Sequence, residues 1–248
     1  MSIKPTYFLS ASIPYGDRAI KYIADPLAVR EAVRGLVATV IGSSQLVFGG
    51  HPAITPFVWE IAKALGAEKN VCIYQSKYYA SNLPKEARWF DNLILTDVDK
   101  REDDSQTRDA SLELMRRQMI GDHDFWAAFF IGGMNGTEDE WDLFARIYPG
   151  VPRYPVASTE GAAAMLWSRE YQRERRFSNK QQYDLIDTLA NELNYRKLFH
   201  LLVQRPVSFG EDSSSQESLL IPPATIPHSF PSYDIEDFYC FDTVPMKV

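Results

Sequence analysis

Apolar residues along the first two thirds of the chain follow two alternating rhythms. Short continuous runs fit buried strands, and longer stretches with three- and four-residue spacing fit helices. Tyr7-Phe8-Leu9-Ser10-Ala11-Ser12 reads as a strand ending in small polar residues, followed by a loop at Ile13-Pro14-Tyr15-Gly16. From Pro26 to Ile41, Leu27, Val29, Val33, Leu36, Val37 and Val40 fall at helical spacing, with Arg30, Glu31 and Arg34 on the other side. Gln45 to Phe48 forms a second strand, Pro56 to Leu65 a helix stopped by Gly66, and Asn70 to Tyr74 a third strand. Lys85 to Phe90 is short and amphipathic, and Asn92 to Leu95 is another β-like run. Asp97 to Asp109, dense in charge, reads as a solvated loop before a helix over Ser111 to Ile120, capped by Asp109 or Ser111. Phe125 to Ile131 is the unbroken apolar run of a strand covered on both faces, with Trp126, Phe129 and Phe130 as core. A helix over Glu138 to Ile147, a last strand at Val156 to Ser158 and a helix opening at Gly161 complete the pattern. Strands alternating with helices predict an α/β fold, a doubly wound parallel sheet of Rossmann-like type, with ligand sites at the strand carboxyl ends.

The rhythm changes near residue 170. Tyr171 to Lys180 is strongly charged, and Gln181 to Val203 carries one long helical pattern. Gln204 to Val248 is rich in proline, serine and aromatics. Phe230, Tyr233, Phe238, Tyr239 and Phe241 predict a tail that wraps the body or a partner. The division expected is a domain over residues 1–170 and a mostly helical or irregular C-terminal extension over 171–248.

Composition narrows the function classes. Net charge is −7 and no basic run is present, which argues against a nucleic-acid polymer as partner. Cys72 and Cys240 lack metal-ligand spacing, and Cys72 sits in an apolar run as a core residue. His123, in Gly121-Asp122-His123-Asp124, reads as an exposed turn with no second ligand spaced to join it. No metal or cofactor is expected. Without a leader-like start or a bilayer-length apolar stretch, the chain reads as a soluble, cytoplasmic protein with no membrane partner.

Two glycine turns carry the candidate chemistry: Leu46-Val47-Phe48-Gly49-Gly50-His51-Pro52, and Phe129-Phe130-Ile131-Gly132-Gly133-Met134-Asn135-Gly136-Thr137-Glu138-Asp139-Glu140. Each reads as strand, tight turn, helix N-terminus. Paired glycines permit positive φ and close approach of a ligand, and a helix start offers unpaired N–H groups and positive dipole to a phosphate. A nucleotide is the first expectation. Ligand contacts are expected from Gly49, Gly50 and His51 at the first turn, and from Gly132, Gly133, Met134, Asn135, Gly136 and Thr137 at the second. Ser10 and Ser12, at the end of the first strand, are placed to bond a phosphate or a ribose. Plainer readings stand beside these. The glycines serve helix–sheet packing, Thr137 is an N-cap completed by Glu140 in a capping box, His51 fills a loop, and Arg116 pairs on the surface with Glu113.

Ser10-Ala11-Ser12, the Phe48-Gly49-Gly50 turn, the Arg116-Arg117 pair and Gly132-Gly133-Met134-Asn135-Gly136-Thr137-Glu138-Asp139-Glu140 come in a fixed order. That order resembles the LOG-type, lysine-decarboxylase-like Rossmann family over roughly residues 6–166, and more closely its SLOG branch. The LOG pattern has Arg-Lys on a helix, a strand, then Pro-Gly-Gly-x-Gly-Thr-x-x-Glu. Arg116 precedes Gly132 by sixteen residues, as that pattern implies; Arg117 takes the lysine position and Glu140 the acidic one. The chain departs from it in having Ile131 for the proline, one added residue between Gly133 and Gly136, and Gly49-Gly50-His51-Pro52 where the enzymes carry three glycines. The SLOG resemblance implies a module that senses a nucleotide-derived signal, such as an ADP-ribose relative or a cyclic derivative, in prokaryotic defence or signalling. It also implies a homo-oligomer and an effector protein partner. The LOG resemblance implies an alternative, a hydrolase of the N-glycosidic bond of a nucleoside monophosphate, with Arg116 and Glu140 as catalytic residues. The added residue re-aims Glu140, which weighs against hydrolysis more than against binding.

Overall fold

The computed structural model describes residues 4–174 and 180–204. Six strands, β1 (Thr6–Ser12), β2 (Gln45–Phe48), β3 (Val71–Ser76), β4 (Asn92–Thr96), β5 (Ala127–Gly132) and β6 (Arg153–Val156), form one parallel sheet in the order β4-β3-β2-β1-β5-β6. Between them run α1 (Arg18–Lys21), α2 (Pro26–Val40), α3 (Thr55–Ala64), α4 (Asp104–Gly121) and α5 (Asn135–Ile147), and after β6 come α6 (Gly161–Glu174), α7 (Lys180–Asn191) and α8 (Tyr195–Gln204). The α/β, Rossmann-like expectation is the observed fold. The chain steps outward from β1 to β4, then returns to β5 on the other side of β1. The order therefore reverses between β1 and β5, the place where such sheets open a crevice at their carboxyl ends.

Strand alternation distributes the core to both faces. Tyr7, Leu9, Leu46, Phe48, Val71, Ile73, Phe129 and Ile131 point to a layer with α2, α3, α7 and α8. Phe8, Val47, Cys72, Tyr74, Ala128 and Phe130 point to the layer holding Met115 and Met119 of α4 and Trp141 and Phe144 of α5. Cys72 is buried there as a core residue. Trp126 does not join this core; it lies outside β5 and is 36% exposed, whereas Phe129 and Phe130 are fully buried. The α2 start follows from its sequence: the Leu27 amide donates to Asp25 Oδ1 at 2.8 Å, and Pro26 occupies a first-turn position needing no N–H.

Several boundaries differ from the sequence expectation. α4 begins at Asp104, seven residues before Ser111, because the Asp103 carboxylate accepts from the Gln106 amide at 2.8 Å. Ser111 is a buried mid-helix residue that accepts from the Asp99 amide at 2.9 Å and donates to Thr107 O at 2.6 Å. The last strand is Arg153–Val156, and Ala157–Thr159 is a single 3₁₀ turn. Pro155 is tolerated because β6 is an edge strand. The long pattern after Gln181 is two helices, broken where Asn194 caps α8 by accepting from the Lys197 amide at 3.1 Å. Both pack on the body: Tyr195, Leu198 and Phe199 are buried with α2, and the Phe199 ring meets Phe129 edge-on at 5.3 Å. The aromatic tail beyond Gln204 lies outside the described residues.

Candidate functional site

A cleft of about 570 Å³ opens at the carboxyl ends of β1, β2 and β3 and the amino end of α5. Its wall includes Ser10 and Ser12 of β1, Gly49, Gly50 and His51 after β2, Met134, Asn135, Gly136 and Thr137 of the second turn, and Arg116 and Glu140. Eleven of the thirteen site residues expected from sequence thus meet in one cavity. Gly132 and Gly133 stand behind it. The Gly132 amide donates to Thr159 Oγ1 at 2.7 Å and the Gly133 amide to Ser12 O at 2.8 Å, so these two donors build the turn and are not offered to a ligand. Gly133 has φ +95°, and a Cβ there would run into the Thr137 side chain.

The two turns present different surfaces. α5 starts at Asn135, three residues before the expected Glu138, with Met134 in extended conformation at the cap position and no side-chain cap. Thr137 is therefore a buried first-turn residue and not the N-cap; no capping box with Glu140 forms, and the Thr137 amide donates to Met134 O at 2.9 Å. Among the described residues nothing accepts from the amides of Asn135 and Gly136, which open this helix. The first turn has no such open helix end. The His51 carbonyl accepts from the Ile54 and Thr55 amides, both at 2.9 Å, its Nδ1 accepts from the Ala53 amide at 3.2 Å, and Pro56 has no N–H. Gly50, at φ +62°, instead brings bare main chain against Ile73.

Between the turns lies a charged pair. Arg116, 16% exposed, holds Nη1 3.3 Å from Asp139 Oδ2 and Nε 3.7 Å from Glu140 Oε1. Its partner is thus α5, not Glu113; that carboxylate pairs with the exposed Arg117, which does not line the cleft. A Cβ on Gly49 would lie 3.9 Å from Glu140 Oε1, so the first turn reaches the same carboxylate. The Glu140 side chain keeps 14% of its surface, facing the cleft, yet is packed deeply enough that burial pushes its pKa up. Arg116 and Ser10 oppose that rise, and Asp139 adds to it.

Sequence reasoning missed the far side of the cleft. Tyr79, Asn82, Arg108, Asp109 and Leu112 line it, and Gln75 at the end of β3 donates to Gly49 O at 3.2 Å while accepting from the Ser76 amide at 2.8 Å. Gln75 was legible as the polar end of a buried strand. Arg108 was hidden by the late start assigned to α4. His123 is not the free turn residue expected: its ring packs edge-on against Tyr74 and tilts against Phe125, and burial lowers its pKa.

The motif order, the switch-point cleft and the Arg116–Glu140 pair meet a match of residues 20–203 to the SLOG cluster3 family. The chain belongs to the SLOG cluster3 family. The match runs through α7 and α8 as well as the sheet. Comparison with curated proteins gives no match. SLOG membership supports a nucleotide-related function at the level of the family. No helix among the described residues is long and apolar enough to cross a membrane, and no group of three or more His, Cys, Asp or Glu side chains among them could hold a metal ion.

Proposed function

We propose that this SLOG protein binds a nucleotide-derived signal in the cleft between its two glycine turns. The observation that carries the reading is the α5 start: unpaired amides at Asn135 and Gly136 open on the same cavity as the half-buried Arg116. Amide donors and a helix dipole recognise a phosphate without a strongly positive protein surface, which suits a chain of net charge −7. The room beyond the β3 end accommodates more than a phosphorylated sugar, consistent with a base or a second ribose. Passing the binding event to a homo-oligomer interface or to an effector partner, in a cytoplasmic defence or signalling system, belongs to the same proposal. Thermal-shift titration with linear and cyclic nucleotides and ADP-ribose tests it, because a ligand at 100 times its Kd stabilises by about 2.7 kcal/mol. No shift with any of them would refute it.

One observation favours a second reading, hydrolysis of an N-glycosidic bond. Glu140 is a cleft-lining carboxyl whose pKa is raised by burial, as suits a group that takes a proton from water near neutral pH. Water would add to ribose C1′ as the C1′–N bond breaks, and the base would leave with a proton. Incubation with nucleoside monophosphates separates the readings, since free base forms only in the second. Glu140→Gln then abolishes turnover with affinity nearly intact; in a pure sensor it changes affinity alone.

A further inference from the structure

The wall of the cleft holds buried polar groups that close no full hydrogen bond within the protein. Ser10 is 2% exposed and its buried Oγ closes no full hydrogen bond, with the Glu140 carboxyl at the edge of its reach. Arg116 Nε is likewise buried and without a hydrogen-bond partner, since Glu140 Oε1 stands 3.7 Å away, beyond hydrogen-bonding range. Both line the cleft together with the Glu140 carboxyl, and Ser10 lies close enough to Glu140 to favour its charged form. Buried polar groups left unpaired are costly, so their persistence at a cavity wall points to a partner that arrives from outside.

The chemistry of the three groups says what that partner is. A phosphate oxygen only accepts, and at this position it would face the Glu140 carboxyl. A hydroxyl both donates and accepts. It can donate to Glu140, accept from Arg116 Nε–H and exchange either role with Ser10 Oγ. Resting on the nucleotide reading, we infer that Ser10, Arg116 and Glu140 form a ribose-hydroxyl subsite, with Ser10 as the residue that selects ribonucleotides over deoxyribonucleotides. The phosphate then belongs at Asn135 and Gly136, on the open end of α5.

The four ribonucleoside 5′-monophosphates and their 2′-deoxy and 3′-deoxy forms serve as probes in calorimetric titrations of the full chain. Wild type should bind a ribonucleotide at least tenfold tighter than one of its deoxy forms, and Ser10→Ala should reduce that preference to about twofold or less. Ser10→Ala should also raise the Tm of the ligand-free protein, because it removes a buried hydroxyl that closes no full hydrogen bond. Equal binding of ribo and deoxy forms by wild type overturns the subsite while leaving the nucleotide reading standing. So does a preference that survives Ser10→Ala, or a fall in ligand-free Tm showing that the hydroxyl is used by the fold. If no probe binds, and the wider nucleotide panel is silent too, the parent reading fails and the subsite with it.

Discussion

Glu140 shows how one side chain couples the site to stability. Its carboxyl is held neutral more readily in the folded chain than in the unfolded one, burial being the main cause and Arg116 the main opponent. The folded state therefore binds more protons than the unfolded state at and above the unfolded carboxylate pKa. Stability attributable to this residue is greatest below that value and is lost as pH rises through the folded pKa. Glu140→Gln cannot ionise, so the stability of the variant relative to wild type should increase as pH rises from 4.5 upward. Urea unfolding at pH 4.5, 6 and 7.5 would read this, and a difference independent of pH would show that the carboxyl is not penalised. Glu160 is a second strained point. Its backbone sits at φ +59°, ψ −153°, a region that glycine adopts without cost, and it is held there by the Ala24 bridge and by Gly161 packing on Gly132 and Gly133. Glu160→Gly should relieve more strain than the added chain entropy costs, for a gain of about 1 kcal/mol. In calorimetry that is an increase in Tm of about 3 °C; a fall in Tm would locate the strain elsewhere.

At the level of elements, α5 divides the structural from the functional share of the second glycine turn. The two glycines shape the chain; the helix start faces the ligand. Asn135→Pro separates these roles. Proline suits the first helical position, and the preceding Met134 is already extended, as a residue before proline prefers. The variant should unfold within about 2 °C of wild type yet bind nucleotide about tenfold more weakly, through loss of one N–H donor. Asn135→Ala keeps the amide and should bind as wild type does; equal weakening in both would shift the role to the asparagine side chain. What the sequence made legible follows the same division. Buried strands such as Phe129-Phe130-Ile131 have one reading, and the turns that follow them are marked by glycine, so the sheet and the meeting of the two turns could be anticipated. The start of α4 could not, because a charged first turn on a solvated helix face looks like a loop until the Asp103 cap is seen. Whether an amide behind a glycine is open or spent depends on partners far along the chain, such as Thr159 for Gly132. Spacing within the motif carries no trace of them.

For the whole molecule, the question is whether the helices after residue 170 are an appendage or part of the body. α8 lies along α2, where a Cβ on Gly35 would be 3.1 Å from Tyr195 Cβ, and α2 in turn carries Val29 against Gly132 at the turn beside the cleft. Tyr195 donates to Ser158 O at 3.3 Å, and the next residue, Thr159, holds the Gly132 amide. The second glycine turn is thus braced from behind by elements that sequence rhythm assigns to an extension, and the family match extends to residue 203 accordingly. Phe199 is the sharpest test of that brace, since it is fully buried and meets Phe129 of the interior strand β5 edge-on. Phe199→Ala should destabilise the chain by about 3–5 kcal/mol in urea titration, as for other large buried aromatics. The protein that remains folded should also bind nucleotide less tightly, because the turn behind the α5 start loses support. A cost below about 1 kcal/mol would mean that α8 lies loosely on the sheet layer, and the cleft would then owe its shape to residues 6–166 alone.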